Sequence, residues 1–181
     1  RSELADIVYQ SYSVFQHEIK SPLTKLEENH FLLELFHGPT LAFKDFAMQV
    51  IAKMFAKTLE KENSNINIVT ATSGDTGSAA VEAFKDVLKV NLYVLYPHER
   101  ISQIQRMQMT TTNAKNVKVF AVQGTFDDCQ SIVKKLFADK ALAGEVNLSG
   151  VNSINWVRIL VQIIYYFSAF YQIKDLPSGK L

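Results

Sequence analysis

The chain has 181 residues, 48% of them hydrophobic and 20% charged, which suits one domain or slightly more with a real core. Lys plus Arg number 19 and Asp plus Glu 18, a formal charge of +1, so neither nucleic acid nor an anionic membrane is expected as a partner. One cysteine, Cys129, beside 7 Gly and 4 Pro, excludes an intrachain disulfide, a cysteine-based zinc site and low-complexity structure, and fits a reducing compartment, most simply the cytoplasm.

The spacing of Leu4, Ile7, Val8, Val14 and Phe15 predicts a helix that Pro22 closes off. Phe31 to Phe36 has strand length, and His37-Gly38-Pro39-Thr40 is turn material. Phe43, Ala47, Val50, Met54 and Leu59 recur at helical spacing. Strands and helices then alternate: strand 66–72, helix 78–88, strand 91–96, helix 102–110, strand 117–122, helix 126–138 and a short strand 146–148. That alternation predicts an α/β fold, a parallel βαβ sheet with helices on both faces. Functional residues are then expected at the carboxyl ends of the strands. Ile154 to Ile173 reads as one long apolar helix. Arg158, Gln162 and Gln172 inside it favour a buried helix of a larger α/β core over a membrane span. No signal-peptide pattern opens the chain, and both ends read as cut. A portion of a larger protein is expected, with the remainder of its own chain as its missing partner.

Three segments carry candidate chemistry. In His37 to Phe46 a strand ends, the chain turns and a helix starts, with Thr40 as the expected N-cap. Lys44 falls at the start of that helix between Phe43 and Phe46. Apolar surroundings and a positive helix end favour the neutral amine, the form that attacks a carbonyl. A lysine snorkelling from a helix face explains the same spacing. Thr72 to Ser78 (TSGDTGS) joins a strand to a helix, and its N–H groups and hydroxyls form an expected anion site. Asp75 argues for a carboxylate ligand over a phosphate, and an ordinary capped turn remains open. Asn152 to Arg158 lies at a later strand-to-helix junction. Its arginine can grip an oxyanion in bidentate fashion, or the segment is only a cap followed by a surface arginine. Asp127 and Asp128 are expected to raise the pKa of Cys129 and make it a poor nucleophile. The four histidines show no metal-ligand spacing, and His37 reads as turn packing.

Together these residues resemble the threonine synthase family. Glu34 to Asp45 (ELFHGPTLAFKD) is similar to its cofactor-lysine segment, and Thr72 to Ala80 (TSGDTGSAA) to its substrate loop. Asn152 to Asn155 with Arg158, and Arg100 to Thr111 (RISQIQRMQMTT), match further. The resemblance runs from about Pro22 to Ile173.

It implies a pyridoxal-phosphate lyase of the tryptophan-synthase-β-like fold that converts O-phosphohomoserine and water to threonine and phosphate. In it Lys44 would form an aldimine with the cofactor and shuttle protons. Asp75 would lie near the cofactor's 3′ oxygen, and Thr76 near the catalytic lysine. Ser73, Thr76 and the loop backbone at Gly74 and Gly77 would hold the substrate carboxylate. Asn152, Ser153 and Arg158 would hold its phosphate.

Residues 1–65 and 151–181 would belong to a larger domain and 66–150 to a small βαβ domain. Asp75 stands where many relatives of the wider fold carry Asn. Pro177-Ser178-Gly179 resembles only the beginning of the cofactor's phosphate loop, so these residues alone are expected to bind cofactor weakly and to be inactive. The alternatives are another lyase of this fold, such as a serine or threonine dehydratase, or a non-catalytic relative that binds a phosphorylated amino acid.

Overall fold

The computed structural model describes residues 2–152 and 155–174. In chain order they form α1 (Glu3–Tyr12), β1 (Leu23–Glu27), β2 (His30–Leu33), α2 (Asp45–Glu62), β3 (Ile66–Ala71), α3 (Asp75–Phe84) and β4 (Val90–Pro97). Then come α4 (Gln103–Thr110), β5 (Val117–Val122), α5 (Phe126–Ala138), α6 (Lys140–Glu145), β6 (Leu148–Ser149), α7 (Trp156–Gln162) and α8 (Ile164–Lys174).

A four-stranded sheet with the order β5-β4-β3-β6 holds the centre, and every pair in it is parallel. Period-two alternation divides the strand side chains between two cores. Ile66, Ile68, Val90, Leu92 and Val94 face α2 and α3, where Met48, Ile51, Val81 and Phe84 are buried. Val69 and Leu95 face the opposite way, onto Cys129 and Val133 of α5. Helices therefore cover both faces, as a parallel sheet requires. A third cluster, Phe15, Phe46 and Tyr165, ties the segment after α1 to α2 and α8. Phe15 and Phe46 meet with ring centroids 4.7 Å apart.

The strand order decides where a ligand can enter. From β3 the chain moves to β4 and on to β5. It then returns to β6, on the other side of β3. Direction reverses between β3 and β6. The segments leaving their carboxyl ends, 72–74 and 150–152 among the described residues, lie where such a reversal opens a crevice. Both loops had been singled out from the sequence.

Several elements differ from the sequence reading. An antiparallel hairpin, β1 with β2, forms where only the second strand was expected, and that strand ends at Leu33. Helix α3 starts at Asp75, three residues early, and ends at Phe84. Helix α6 fills a stretch to which the sequence reading assigned no element, capped by Asp139, whose side chain accepts the Leu142 N–H. It pushes the last strand to Leu148–Ser149.

The long apolar segment is two helices. The Ile163 N–H bonds the Leu160 carbonyl at 3.2 Å, a tighter turn than the α-helical one, and the second helix starts there. Each helix is covered on one side only: Arg158 and Tyr165 are buried, whereas Trp156, Tyr166, Phe167 and Tyr171 are exposed. Among the described residues no helix is long and apolar enough to cross a membrane.

Candidate active site

The turn before α2 is built by a carboxylate. Asp45 is fully buried, and its two oxygens accept the Thr40 N–H at 2.8 Å and the Thr40 hydroxyl at 2.7 Å. The expected direction is thus reversed. Thr40 does not cap the helix; the first helical residue reaches back to hold Thr40, because the turn runs on through Leu41 at φ 62° and the helix starts only at Asp45. Burial pushes the Asp45 carboxyl up, against the Thr40 hydrogen bonds that lower it.

This geometry leaves Lys44 at the N-cap position. Its ammonium lies 4.3 Å from the Phe43 ring centroid. Across the crevice Nζ donates to Asp75 Oδ2 at 3.1 Å. The lysine that apolar surroundings and a helix end were expected to favour as the neutral amine is half of an ion pair, because the first turn of α3 brings a carboxylate to it. Its side chain is 16% exposed against 46% for Asp75.

The loop after β3 is organised by a residue that the sequence reading passed over. Thr72 is buried, and its hydroxyl oxygen accepts the N–H of Gly74 at 2.9 Å and of Gly77 at 2.8 Å. These two amides, expected to serve the substrate, are already engaged. Among the described residues the N–H groups of Asp75 and Thr76 and the hydroxyls of Ser73 and Thr76 find no partner. They are open donors at the N-terminus of α3, where an anion is favoured. Gly74 sits at φ 138°, which no other residue adopts without strain. A Cβ there would overlap the Gln105 carboxamide.

Gln105 is the second residue missed. Its Nε2 donates to Asp75 Oδ1 at 2.7 Å, so Asp75 accepts on both oxygens. Burial raises the Asp75 carboxyl, but the bonds from Gln105 and Lys44, with the Lys44 charge, outweigh it and hold the group below its ordinary value. The sequence signal for Gln105 was the spacing Ser102-x-x-Gln105, a capping box that the structure forms.

On the β6 side Asn155 caps α7, accepting the Arg158 N–H at 3.2 Å. Arg158 is not the surface arginine left open by the sequence: it is 5% exposed. Its Nε donates to Gln162 Oε1 at 3.1 Å and its Nη1 to the Val151 carbonyl at 3.4 Å. Among the described residues no carboxylate pairs with it, and burial pulls its pKa down. A buried guanidinium with neutral partners is suited to an oxyanion. Asn152 is half-buried on the same loop; Ser153 lies outside the described residues, as do Pro177 to Gly179.

The residues read as structure behave so. His37 bonds Glu34 Oε2 at 2.8 Å and stacks on His17 at 4.6 Å. Cys129 is buried, and burial, ahead of Asp128, raises its thiol. The acidic neighbour expected to dominate is the smaller cause. Among the described residues no group of His, Cys, Asp and Glu could hold a metal ion.

The family model described as pyridoxal-phosphate dependent enzyme matches residues 14–175. The chain belongs to that family. Among curated relatives, the threonine synthase of Pseudomonas aeruginosa is 46% identical over 172 residues, 95% of this chain and 37% of that protein. The threonine synthase of Saccharomyces cerevisiae is 46% identical over 191 residues, 99% of this chain and 37% of that protein. A solved PLP-bound threonine synthase from Brucella melitensis superposes with a TM-score of 0.89 at 44% identity, over 98% of this chain and 38% of that one. The chain thus spans about 37% of the length of these curated relatives.

The donor set fits the family's cofactor. Lys44 is a primary amine, the group that an aldehyde needs, and it stands beside a carboxylate with a fixed partner on each oxygen.

Proposed function

We propose that the whole protein is a threonine synthase, converting O-phosphohomoserine and water to threonine and phosphate. The observation that carries this reading is the pairing of Lys44 with Asp75, beside the open donors of the loop after β3 and where the strand order reverses. A substrate with a carboxylate at one end and a phosphate at the other needs two oxyanion-binding loops.

Pyridoxal phosphate, when bound, supplies the electron sink for carbanion chemistry. Lys44 would hold the cofactor by its amine and move protons at the substrate's α and β carbons. Asp75 would lie near the cofactor's 3′ oxygen. Ser73 and Thr76, with the N–H groups of Asp75 and Thr76, hold the substrate carboxylate, and Thr76 lies beside the lysine. Asn152, Ser153 and Arg158 hold the phosphate that leaves. Residues 1–65 and 151–181 belong to the larger domain of the whole protein and 66–150 to the small one, and the protein works in the cytoplasm. A dehydratase acting on free serine or threonine has no use for the Arg158 grip.

The test is turnover by the full-length, cofactor-loaded protein on O-phosphohomoserine, serine and threonine in parallel. Release of phosphate with formation of threonine is expected. Turnover of serine or threonine, with none of O-phosphohomoserine, overturns the reading.

A further inference from the structure

Gln105 meets Asp75 from the side opposite Lys44. Its Nε2 donates to Oδ1 at 2.7 Å, while Lys44 Nζ donates to Oδ2 at 3.1 Å. The carboxamide has its orientation set, because its Oε1 already accepts the Ser102 N–H at 3.2 Å. Only the amide nitrogen is left to face Asp75. Gly74 makes room for it, since any Cβ there would occupy the space of the carboxamide. The main chain at Gln105 is held as well: Ser78 Oγ donates to its carbonyl at 3.3 Å.

We propose that Gln105 is a positioning residue for the reaction, fixing the Asp75 carboxylate so that one named oxygen is presented to Lys44. Asp75 opens α3 with a half-exposed side chain, and an exposed carboxylate is otherwise free to turn towards water. A donor on one oxygen removes that freedom and leaves the other oxygen for the lysine. The kinetic part of this inference rests on the proposed function; the coupling of Gln105, Asp75 and Lys44 does not.

One substitution separates positioning from helix stability. Glutamate at the same place also closes a capping box, so Gln105→Glu keeps the start of α4. It replaces the donor to Asp75 by a second carboxylate, and two carboxylates in contact share a proton or separate. The experiment uses the full-length protein with Gln105→Glu, Gln105→Ala and Ser102→Ala.

The first readout needs no cofactor: acetylation of Lys44 by acetic anhydride against pH, read by peptide mass spectrometry. The midpoint is expected to rise in Gln105→Glu, where a second negative charge stands behind Asp75, and to stay put in Ser102→Ala. The second is the pH profile of kcat/KM. Gln105→Glu is expected to lose about tenfold or more near pH 8, the worth of a hydrogen bond to a charged group, with the deficit shrinking towards about pH 6 as the carboxyl pair takes up its proton.

Gln105→Ala is expected to lose kcat at every pH with KM little changed. Ser102→Ala is expected to lower Tm and leave the shape of the profile alone. A folded Gln105→Glu with the wild-type midpoint and profile overturns the proposal. Should that variant not fold, a wild-type kcat in Gln105→Ala overturns it equally. If the wild-type protein does not turn over O-phosphohomoserine, the proposed function fails, and the acetylation midpoints still decide the role of Gln105.

Discussion

Asp45 binds back onto Thr40, its two carboxylate oxygens holding the Thr40 N–H and hydroxyl at 2.8 and 2.7 Å. The pair closes the turn that delivers Lys44, and it is buried. Replacing Asp45 with alanine strands a buried N–H and a hydroxyl, expected to cost about 1–3 kcal/mol. Urea unfolding of the full-length protein and of Asp45→Ala measures it. The pH dependence has a definite sign. Burial raises the folded carboxyl above its ordinary value of 3.8, so the folded state binds this proton more tightly than the unfolded state. This group therefore makes stability fall as pH rises from 3.8 through the raised value. Asp45→Ala is expected to remove that slope; an unchanged slope defeats the assignment.

Asp75 gives the opposite slope. Burial acts to raise it, yet the Gln105 and Lys44 bonds bring it below its ordinary 3.8. Its stabilisation is complete above 3.8 and is lost as pH falls through the depressed folded value. The advantage of wild type over Asp75→Asn is expected to shrink on that acid limb. It is also expected to shrink at high salt, because the side chain is 46% exposed and exposed pairs are screened. Thermal melts of both proteins at several pH values and salt concentrations test this.

The sheet was legible because buried parallel strands are dense in Val, Ile and Leu and are separated by helical spacing, as Ile66–Ala71 and Val90–Pro97 show. The site was legible as far as its loops. The hairpin strand Leu23–Glu27 was not, because its side chains are mostly exposed and carry no apolar alternation. Nor was the Lys44–Asp75 pair, since 31 residues separate them and only the return of the chain through β3 joins them. The Gln105–Asp75 bond was hidden for the same reason, with 30 residues between the partners, although the capping box at Gln105 was readable; Thr72 acts locally, through the N–H groups of Gly74 and Gly77. Arg158 was left between an oxyanion grip and a surface arginine because one charge in an apolar helix does not say which side is covered.

Two glycines are expected to respond to alanine with opposite signs. Gly74 has φ 138° and the Gln105 carboxamide in its Cβ position. Gly74→Ala is expected to destabilise by about 2–4 kcal/mol from backbone strain and overpacking. Gly144 lies inside α6 with nothing within 4 Å of its Cβ position. There alanine is expected to stabilise by about 0.5–1 kcal/mol through helix propensity. Denaturant midpoints of the two variants check the contrast, and a Gly74→Ala protein as stable as wild type refutes the strained geometry.

Arg158 separates binding from stability. A guanidinium that is 5% exposed, with Gln162 and a carbonyl as its side-chain partners among the described residues, bears its desolvation with no described carboxylate to offset it. Methionine has a similar apolar stem and no charge. Arg158→Met is expected to leave stability in phosphate-free buffer unchanged or higher. Inorganic phosphate is the discriminating probe. Bound only by the folded state, it stabilises wild type by about 2.7 kcal/mol at one hundred times its dissociation constant. The variant is expected to gain nothing at the same concentration. Differential scanning calorimetry of the full-length proteins, with and without phosphate, gives the result. Equal gains in the two proteins remove Arg158 from the phosphate site.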